Sequence, residues 1–155
     1  MNMPPVVIEA TKYIWDRYPP AQEWTWPIAL SWTHWHASMG YLGIARDNPV
    51  ENNIVGVVVI RPVNNPGDGL IPYEHDENGQ CLFIDMFACD NPVAYALLSY
   101  AFVHRFGPRR QVAYLDLLHR ENRGRRGDRE MHIRPYDRFK RRVEGRLPES
   151  PFIEE

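Results

Sequence analysis

The sequence has only two cysteines among its 155 residues, Cys81 and Cys89, and no apolar run in it approaches 18 residues. Two cysteines are too few to define a disulfide framework, so a reducing cytoplasm is the expected environment. The lack of a long apolar run argues against a membrane-spanning helix. No positively charged N-terminal region precedes an apolar core, and therefore no secretion signal is predicted.

Several motifs of known chemistry are also missing. The chain has no Cys-x-x-Cys, His-Glu-x-x-His or Gly-x-Ser-x-Gly motif, which leaves the metalloenzyme and serine-hydrolase classes with little support. His34 and His36 fall within a predicted helix, where a two-residue offset directs side chains about 200° apart. No metal site is therefore expected.

The overall composition is that of a soluble globular protein. Hydrophobic residues make up 44% of the chain, charged residues 25% and aromatic residues 12%, which excludes a disordered chain. The length suits one compact domain, and a single domain over residues 1–155 is predicted.

Proline, glycine and the spacing of apolar residues predict the secondary structure. Helix 91–106 would join the third and fourth strands as a β-α-β crossover, which makes those two strands parallel. The turn-rich residues 64–80 would form a long hairpin loop between two antiparallel strands. The fold class is thus α+β, a mixed sheet with helices on its faces. The predicted elements are helices over 5–18, 27–39, 91–106 and 135–146 and strands over 41–46, 54–63, 81–89 and 112–118.

All five tryptophans lie between positions 15 and 35, in or between the first two predicted helices. One interpretation is an aromatic helix face that packs on the sheet, and the other is an aromatic pocket for an acyl group or a base.

Asp85 is the first candidate for chemistry because it is the only charged residue in the apolar strand 81–89. Strict alternation would put Asp85, Phe87 and Cys89 on one face of the strand and Met86 and Ala88 on the other. A buried carboxylate needs a partner or a raised pKa, and a raised pKa suits a general acid or base. The alternative is a structural carboxylate paired with a buried arginine.

Cys89 precedes the start of the helix at 91, where the helix dipole can lower the pKa of a thiol. The same helix start could hold a phosphate group. A small buried cysteine with no chemical role is the alternative.

Basic charge is concentrated in the last third of the chain. Residues 1–100 hold four Lys and Arg against eleven Asp and Glu, whereas residues 101–155 hold fourteen against nine. The basic segment at about 120–146 could bind nucleic acid, the phosphate of a phosphopantetheine or coenzyme A, or an acidic protein. A solvated basic helix is the alternative.

The order of elements resembles the GNAT acyltransferase fold, and within it the toxin-activating lysine acyltransferases that acylate RTX protoxins. Four short motifs carry the resemblance over roughly residues 13–120: Tyr-Ile-Trp at 13–15, Trp-Pro-Ile-Ala-Leu at 26–30, Ile-Ala-Arg-Asp-Asn-Pro at 44–49 and Leu-Phe-Ile-Asp at 82–85. The Gly-rich loop of general GNAT enzymes is missing after Asp85, as it also is in the toxin-activating branch.

The resemblance implies transfer of an acyl group from an acyl carrier protein or acyl-CoA thioester to an amine. Asp85 matches the family's aspartate as general base or orienting residue, and Glu23 stands where the family has its histidine. The thioester arm would lie at Asn91 to Val93, and Arg109, Arg110 or arginines near position 120 would hold its phosphate. Replacing Asp85 by Asn is expected to abolish turnover and leave the fold intact.

A basic C-terminal third would also suit an acidic carrier protein. Small GNAT-like proteins resemble components of tailed-phage particles, and the alternative function is therefore a non-catalytic structural protein of a virion or another oligomeric assembly. A third hypothesis is that the chain is a free nucleic-acid-binding protein.

Overall fold

The computed structural model describes residues 3–18, 21, 23–115 and 130–146. A short 3₁₀ helix, Pro66–Leu70, lies in the loop between the second and third strands. The helices are α1 Pro5–Arg17, α2 Trp26–Ser38, α3 Pro92–Phe106 and α4 Tyr136–Arg146, and the strands are β1 Leu42–Arg46, β2 Ile54–Val63, β3 Cys81–Cys89, β4 Gln111–Leu115 and β5 Met131–Pro135.

The strands form one mixed sheet in the order β1-β2-β3-β4-β5. β1, β2 and β3 pair antiparallel, β3 and β4 pair parallel across helix α3, and β5 pairs antiparallel with β4. The predicted α+β class, the hairpin and the parallel β-α-β unit are confirmed. The fourth strand was predicted to reach 118, and its residues 116–118 lie outside the described ranges, as do residues 120–129 of the basic segment.

β5 was not predicted from the sequence. Its residues are Met131–Pro135, and the predicted elements leave 131–134 unassigned, just before the predicted helix 135–146. The segment has only five residues, and in the structure four of them alternate between partly buried and exposed positions. Because none of the five is fully buried, the segment has few apolar residues from which a strand could be predicted. Pairing with β4 is what makes it a strand.

Buried apolar residues cover both faces of the sheet. Val57 and Val59 pack in a cluster with α1, while Val58 and Ile60 pack in a cluster with α3 and α4. All four are at most 1% exposed. β2 is therefore interior on both sides, which explains its continuous apolar sequence.

Helix α3 begins where local sequence signals predict. The Asn91 side chain accepts a hydrogen bond from the Ala94 backbone N–H at 2.8 Å, and Pro92 occupies the first turn. Gly107 ends the helix with φ of 74°, a conformation that glycine adopts without the strain of a side chain.

A β-bulge at Asp85 changes the facing of β3. Val59 pairs with Met86 and the next residue, Ile60, pairs with Ile84, so Asp85 is the extra residue. Beyond it, Met86 packs with the α1 cluster and Phe87 with the α3 cluster. The predicted strict alternation is thus wrong after Asp85, because an inserted residue inverts the facing of all that follow.

The described pairing of β3 with β4 ends next to the same position. Their parallel pairing runs from Cys81 with Gln111 to Ile84 with Tyr114. β3 continues to Cys89, and over 85–89 no described residue of β4 pairs with it. Among the described residues, a gap therefore opens between β3 and β4 after Ile84, next to the start of α3.

Candidate functional site

Two cavities lie at this gap, and Ile84, Asp85 and Leu115 line both of them. The inner cavity, about 210 Å³, is bounded by Tyr18 just after α1, by Trp24 and α2, and by the end of the 3₁₀ helix with the loop that follows it. The outer cavity, about 290 Å³, is bounded by α3, α4 and β5. Because they share the residues where β3 and β4 part, the two cavities approach each other from opposite faces of the sheet.

Asp85 in the inner cavity forms a bidentate ion pair with Arg61 of β2. Arg61 Nε donates to Asp85 Oδ2 at 2.7 Å, and Nη2 donates to Oδ1 at 2.8 Å. The Arg61 side chain is 2% exposed and that of Asp85 is 14% exposed. Burial raises the pKa of Asp85, and the guanidinium opposes that rise. The alternative considered for Asp85, a structural carboxylate paired with a buried arginine, is therefore present in the structure.

Arg61 has no N–H donor left for a ligand. Besides Asp85, its guanidinium donates to the carbonyl oxygens of Gly69, Ile71 and Glu74, at 2.6, 3.0 and 2.7 Å. A guanidinium has five N–H groups, and these five bonds use all of them. Arg61 thus fastens the loop 69–74 to β2 as one wall of the inner cavity.

His36 of α2 enters the same cavity from the opposite side. Its Nδ1 lies 2.8 Å from the Trp32 carbonyl oxygen, which can only accept, so Nδ1 carries the hydrogen. The side chain is 1% exposed, and burial lowers its pKa to about 4. At neutral pH the imidazole is uncharged, and its Nε2 atom lies 3.9 Å from Asp85 Oδ2.

Aromatic rings form much of the remaining wall. The Trp24 and Trp32 rings lie 5.2 Å apart, and Trp32 is 4.2 Å from the His36 ring. Tyr18 donates its hydroxyl hydrogen to the Asp85 backbone carbonyl at 3.1 Å. Trp24 and Trp32 also pack on the core cluster of α1, so these tryptophans serve both as a packing face and as a cavity wall.

The outer cavity has a basic rim. Arg134 of β5 and Arg138 and Arg142 of α4 line it, and the last two are exposed and one helical turn apart. Tyr95, in the first turns of α3, stacks on Phe87 with ring centroids 4.4 Å apart and forms the opposite side. The rim thus combines positive charge with an aromatic surface.

Glu23, the second predicted catalytic residue, is exposed and lines neither cavity. The structure does not bring it beside Asp85, and its catalytic role stays a prediction without support from this geometry.

The residues predicted to bind the cofactor lie at two ends of α3. Asn91 and Val93 are exposed at its start, whereas Arg109 and Arg110 follow its end, and a 15-residue helix is about 22 Å long. The Arg109 guanidinium donates to the carbonyl oxygens of Phe106, Glu77 and Gly79. The residues predicted for the thioester arm and those predicted for its phosphate are thus about one helix length apart, and none of the four lines either cavity.

Cys89 fits the alternative of a small cysteine with no chemical role. Burial and the neighbouring Asp90 carboxylate raise the pKa of its thiol to about 12. The lowered pKa considered for a reactive thiol at the helix start is therefore contradicted.

Sequence reasoning missed Arg61 and His36. Arg61 did leave a signal, since it is the only charged residue in the apolar strand 54–63, as Asp85 is in the next strand. Two such residues of opposite sign on neighbouring buried strands predict an ion pair. His36 left no comparable signal, because its role depends on the packing of α2.

Comparisons with known proteins bear on the fold. A GNAT-like decarboxylase, GphF, solved in complex with isobutyryl-CoA, superposes with a TM-score of 0.52 at 14% sequence identity, over 76% of this chain and 67% of that chain. The fold is GNAT-like. The loading GNATL domain of CurA from Lyngbya majuscula also matches, with a TM-score of 0.37, 16% identity, and coverage of 48% of this chain and 44% of that one.

No protein-family model matches the sequence, and no curated protein matches it significantly. Among the described residues, no group of three or more His, Cys, Asp and Glu side chains is placed to hold a metal ion. None of the described helices is long and apolar enough to cross a bilayer.

The buried, uncharged state of His36 predicts a dependence of stability on pH. The pKa of His36 is about 4 in the folded protein and about 6.5 when unperturbed, so the unfolded chain binds more protons between these values. The contribution of His36 to the free energy of unfolding is therefore complete above pH 6.5 and is lost as the pH falls toward 4. From pH 7 to pH 5 the free energy of unfolding should fall by about 2 kcal/mol.

Urea unfolding at both pH values tests this. The control is His36→Asn, whose amide can still donate to the Trp32 carbonyl but does not titrate. The raised pKa of Asp85 acts in the opposite direction in both proteins and cancels in the comparison. An equal loss of stability in the two proteins would contradict the assignment to His36.

Proposed function

We propose that the protein binds an acyl thioester of phosphopantetheine in the gap between β3 and β4 and transfers the acyl group to an amine. The observation that carries the proposal is the pair of cavities that share Ile84, Asp85 and Leu115. One end is basic and the other is aromatic, an arrangement that suits an elongated molecule with an anionic end and an apolar end. The GNAT-like decarboxylase with the similar fold was solved with an acyl-CoA, which supports this class of ligand.

The outer end has groups that fit the phosphate and the arm. Arg134, Arg138 and Arg142 suit phosphate oxygens because guanidinium groups pair with them in a planar fork. The part of β3 without a described partner in β4, residues 85–89, carries backbone groups that can bond the amides of a pantetheine arm as a neighbouring strand would.

The inner end has a group that can take a proton. Attack of the amine nitrogen on the thioester carbonyl forms the amide bond, breaks the carbon–sulfur bond and releases a thiol. The amine proton must pass to the sulfur, and His36 Nε2 is an uncharged acceptor that could relay it. Asp85, committed to Arg61, would position the loop wall and would not act as the base.

Isothermal titration with coenzyme A and isobutyryl-CoA tests the binding step. The double variant R138E/R142E reverses two charges on the outer cavity, and we expect it to weaken binding about tenfold at low ionic strength. The control is Arg141→Glu, which reverses one charge at an exposed arginine of the same helix that does not line the cavity. The control should bind within twofold of the unchanged protein.

Release of free thiol in the presence of lysine-containing peptides, with mass spectrometry of the peptides, separates transfer from binding alone. If R138E/R142E and Arg141→Glu weakened binding equally, the phosphate site would lie elsewhere on the protein. A protein that binds neither compound would favour the structural alternative.

A further inference from the structure

We infer that the inner cavity selects short, uncharged acyl groups and discriminates against acyl groups that end in a carboxylate. The inference rests on the proposed function and names its substrate class. It also separates this chain from the reaction of its structural neighbour, because a decarboxylase acts on a substrate that carries a carboxylate.

The first argument is charge. A carboxylate moved from water into an apolar cavity needs a cation with free N–H groups. Arg61 is the only Lys or Arg among the described residues that line the inner cavity, and its five donors are bound to Asp85 and to three carbonyl oxygens. Asp85 itself adds negative charge, and His36 is uncharged near neutral pH.

The second argument is size. A cavity of about 210 Å³ holds about seven groups of the size of a water molecule, each of about 30 Å³. An acyl chain of up to about seven non-hydrogen atoms would fill it, and further carbons would have to extend into solvent.

The third argument is the stiffness of the wall. The loop that closes one side is held through Gly69, Ile71 and Glu74 by the buried Arg61. Gly69 lies against the Phe83 ring so closely that no Cβ would fit between them. A wall with these contacts does not open to admit a longer chain without breaking buried hydrogen bonds.

A panel of coenzyme A thioesters tests the inference by isothermal titration, below the concentrations at which the longer ones form micelles. From acetyl through butyryl to hexanoyl, affinity should rise about threefold to fourfold for each added methylene, and it should stop rising from octanoyl to palmitoyl. Succinyl-CoA should bind at least tenfold more weakly than butyryl-CoA, which has the same number of carbon atoms in its acyl chain.

A variant of the inner cavity tests whether this cavity binds the acyl chain. Trp24→Leu removes part of the inner wall and should let affinity rise to longer chains, while the free coenzyme A affinity stays unchanged. The control is Trp26→Leu, whose ring stacks on Trp15 at 5.2 Å and lines neither cavity; its chain-length profile should not change.

The outcomes separate the two proposals. Failure of every thioester and of coenzyme A to bind would overturn the proposed function. Binding that rises steadily to palmitoyl, or succinyl-CoA that binds as well as butyryl-CoA, would overturn the selection for short, uncharged acyl groups and leave the thioester site in place.

Discussion

Replacing Asp85 by Asn is expected to lower the free energy of unfolding by about 3–5 kcal/mol. The substitution leaves the Arg61 guanidinium buried, 2% exposed, without its counter-ion, and breaking one partner of a buried pair has an effect of this size. Equilibrium unfolding in urea, followed by tryptophan fluorescence, measures it. This expectation differs from the one drawn from the sequence, in which the same variant leaves the fold intact, because the structure shows the buried partner of Asp85.

A double-mutant cycle assigns the loss to the pair. It compares D85N, R61Q and the double variant, and the two changes should be non-additive, with a coupling energy of about 2 kcal/mol. Additive effects would show that the two side chains stabilise the fold independently. Loss of turnover in D85N would not identify a catalytic carboxylate, since the loop wall of the inner cavity depends on the same ion pair.

Replacing Gly69 by Ala is expected to destabilise the fold by up to about 3 kcal/mol. The added Cβ would overlap the ring of Phe83, which is 4% exposed and held by the core, and overpacking of a filled interior has effects of this size. Because the Gly69 carbonyl accepts from Arg61, the displaced loop should also reshape the inner cavity. Thermal unfolding and acyl-CoA titration measure the two effects.

Gly67 provides the matched control. It lies in the same 3₁₀ helix, and a Cβ added there would meet nothing within 4 Å. Gly67→Ala should therefore change stability by less than about 1 kcal/mol. Equal effects of the two substitutions would mean that the short helix, and not the contact with Phe83, determines the loss.

The boundaries of most elements could be predicted from the sequence because the signals for them are local. Pro92, Asn91 and Gly107 mark the ends of α3 by backbone preferences of single residues. The β-branched run of β2 has the composition of an interior strand. β5 could not be predicted, because only its hydrogen bonds with β4 make it a strand.

The candidate site could be predicted only in part. Asp85 was recognised because a lone carboxylate in an apolar strand is rare, whatever surrounds it. Its partner Arg61 lies 24 residues away, and Glu23, taken from a resemblance in short motifs, lies on the surface. The predicted basic segment does contribute to the outer cavity, through Arg138 and Arg142.

The sequence by itself determined the α+β class, the parallel β-α-β unit and the position of one buried carboxylate, since periodicity, caps and polarity are properties of neighbouring residues. The tertiary structure alone decided which groups meet that carboxylate. The bulge at Asp85, the separation of β3 from β4 and the approach of His36 depend on contacts between segments far apart in the chain. Such contacts form when whole faces are buried together, and no local pattern of residues specifies them.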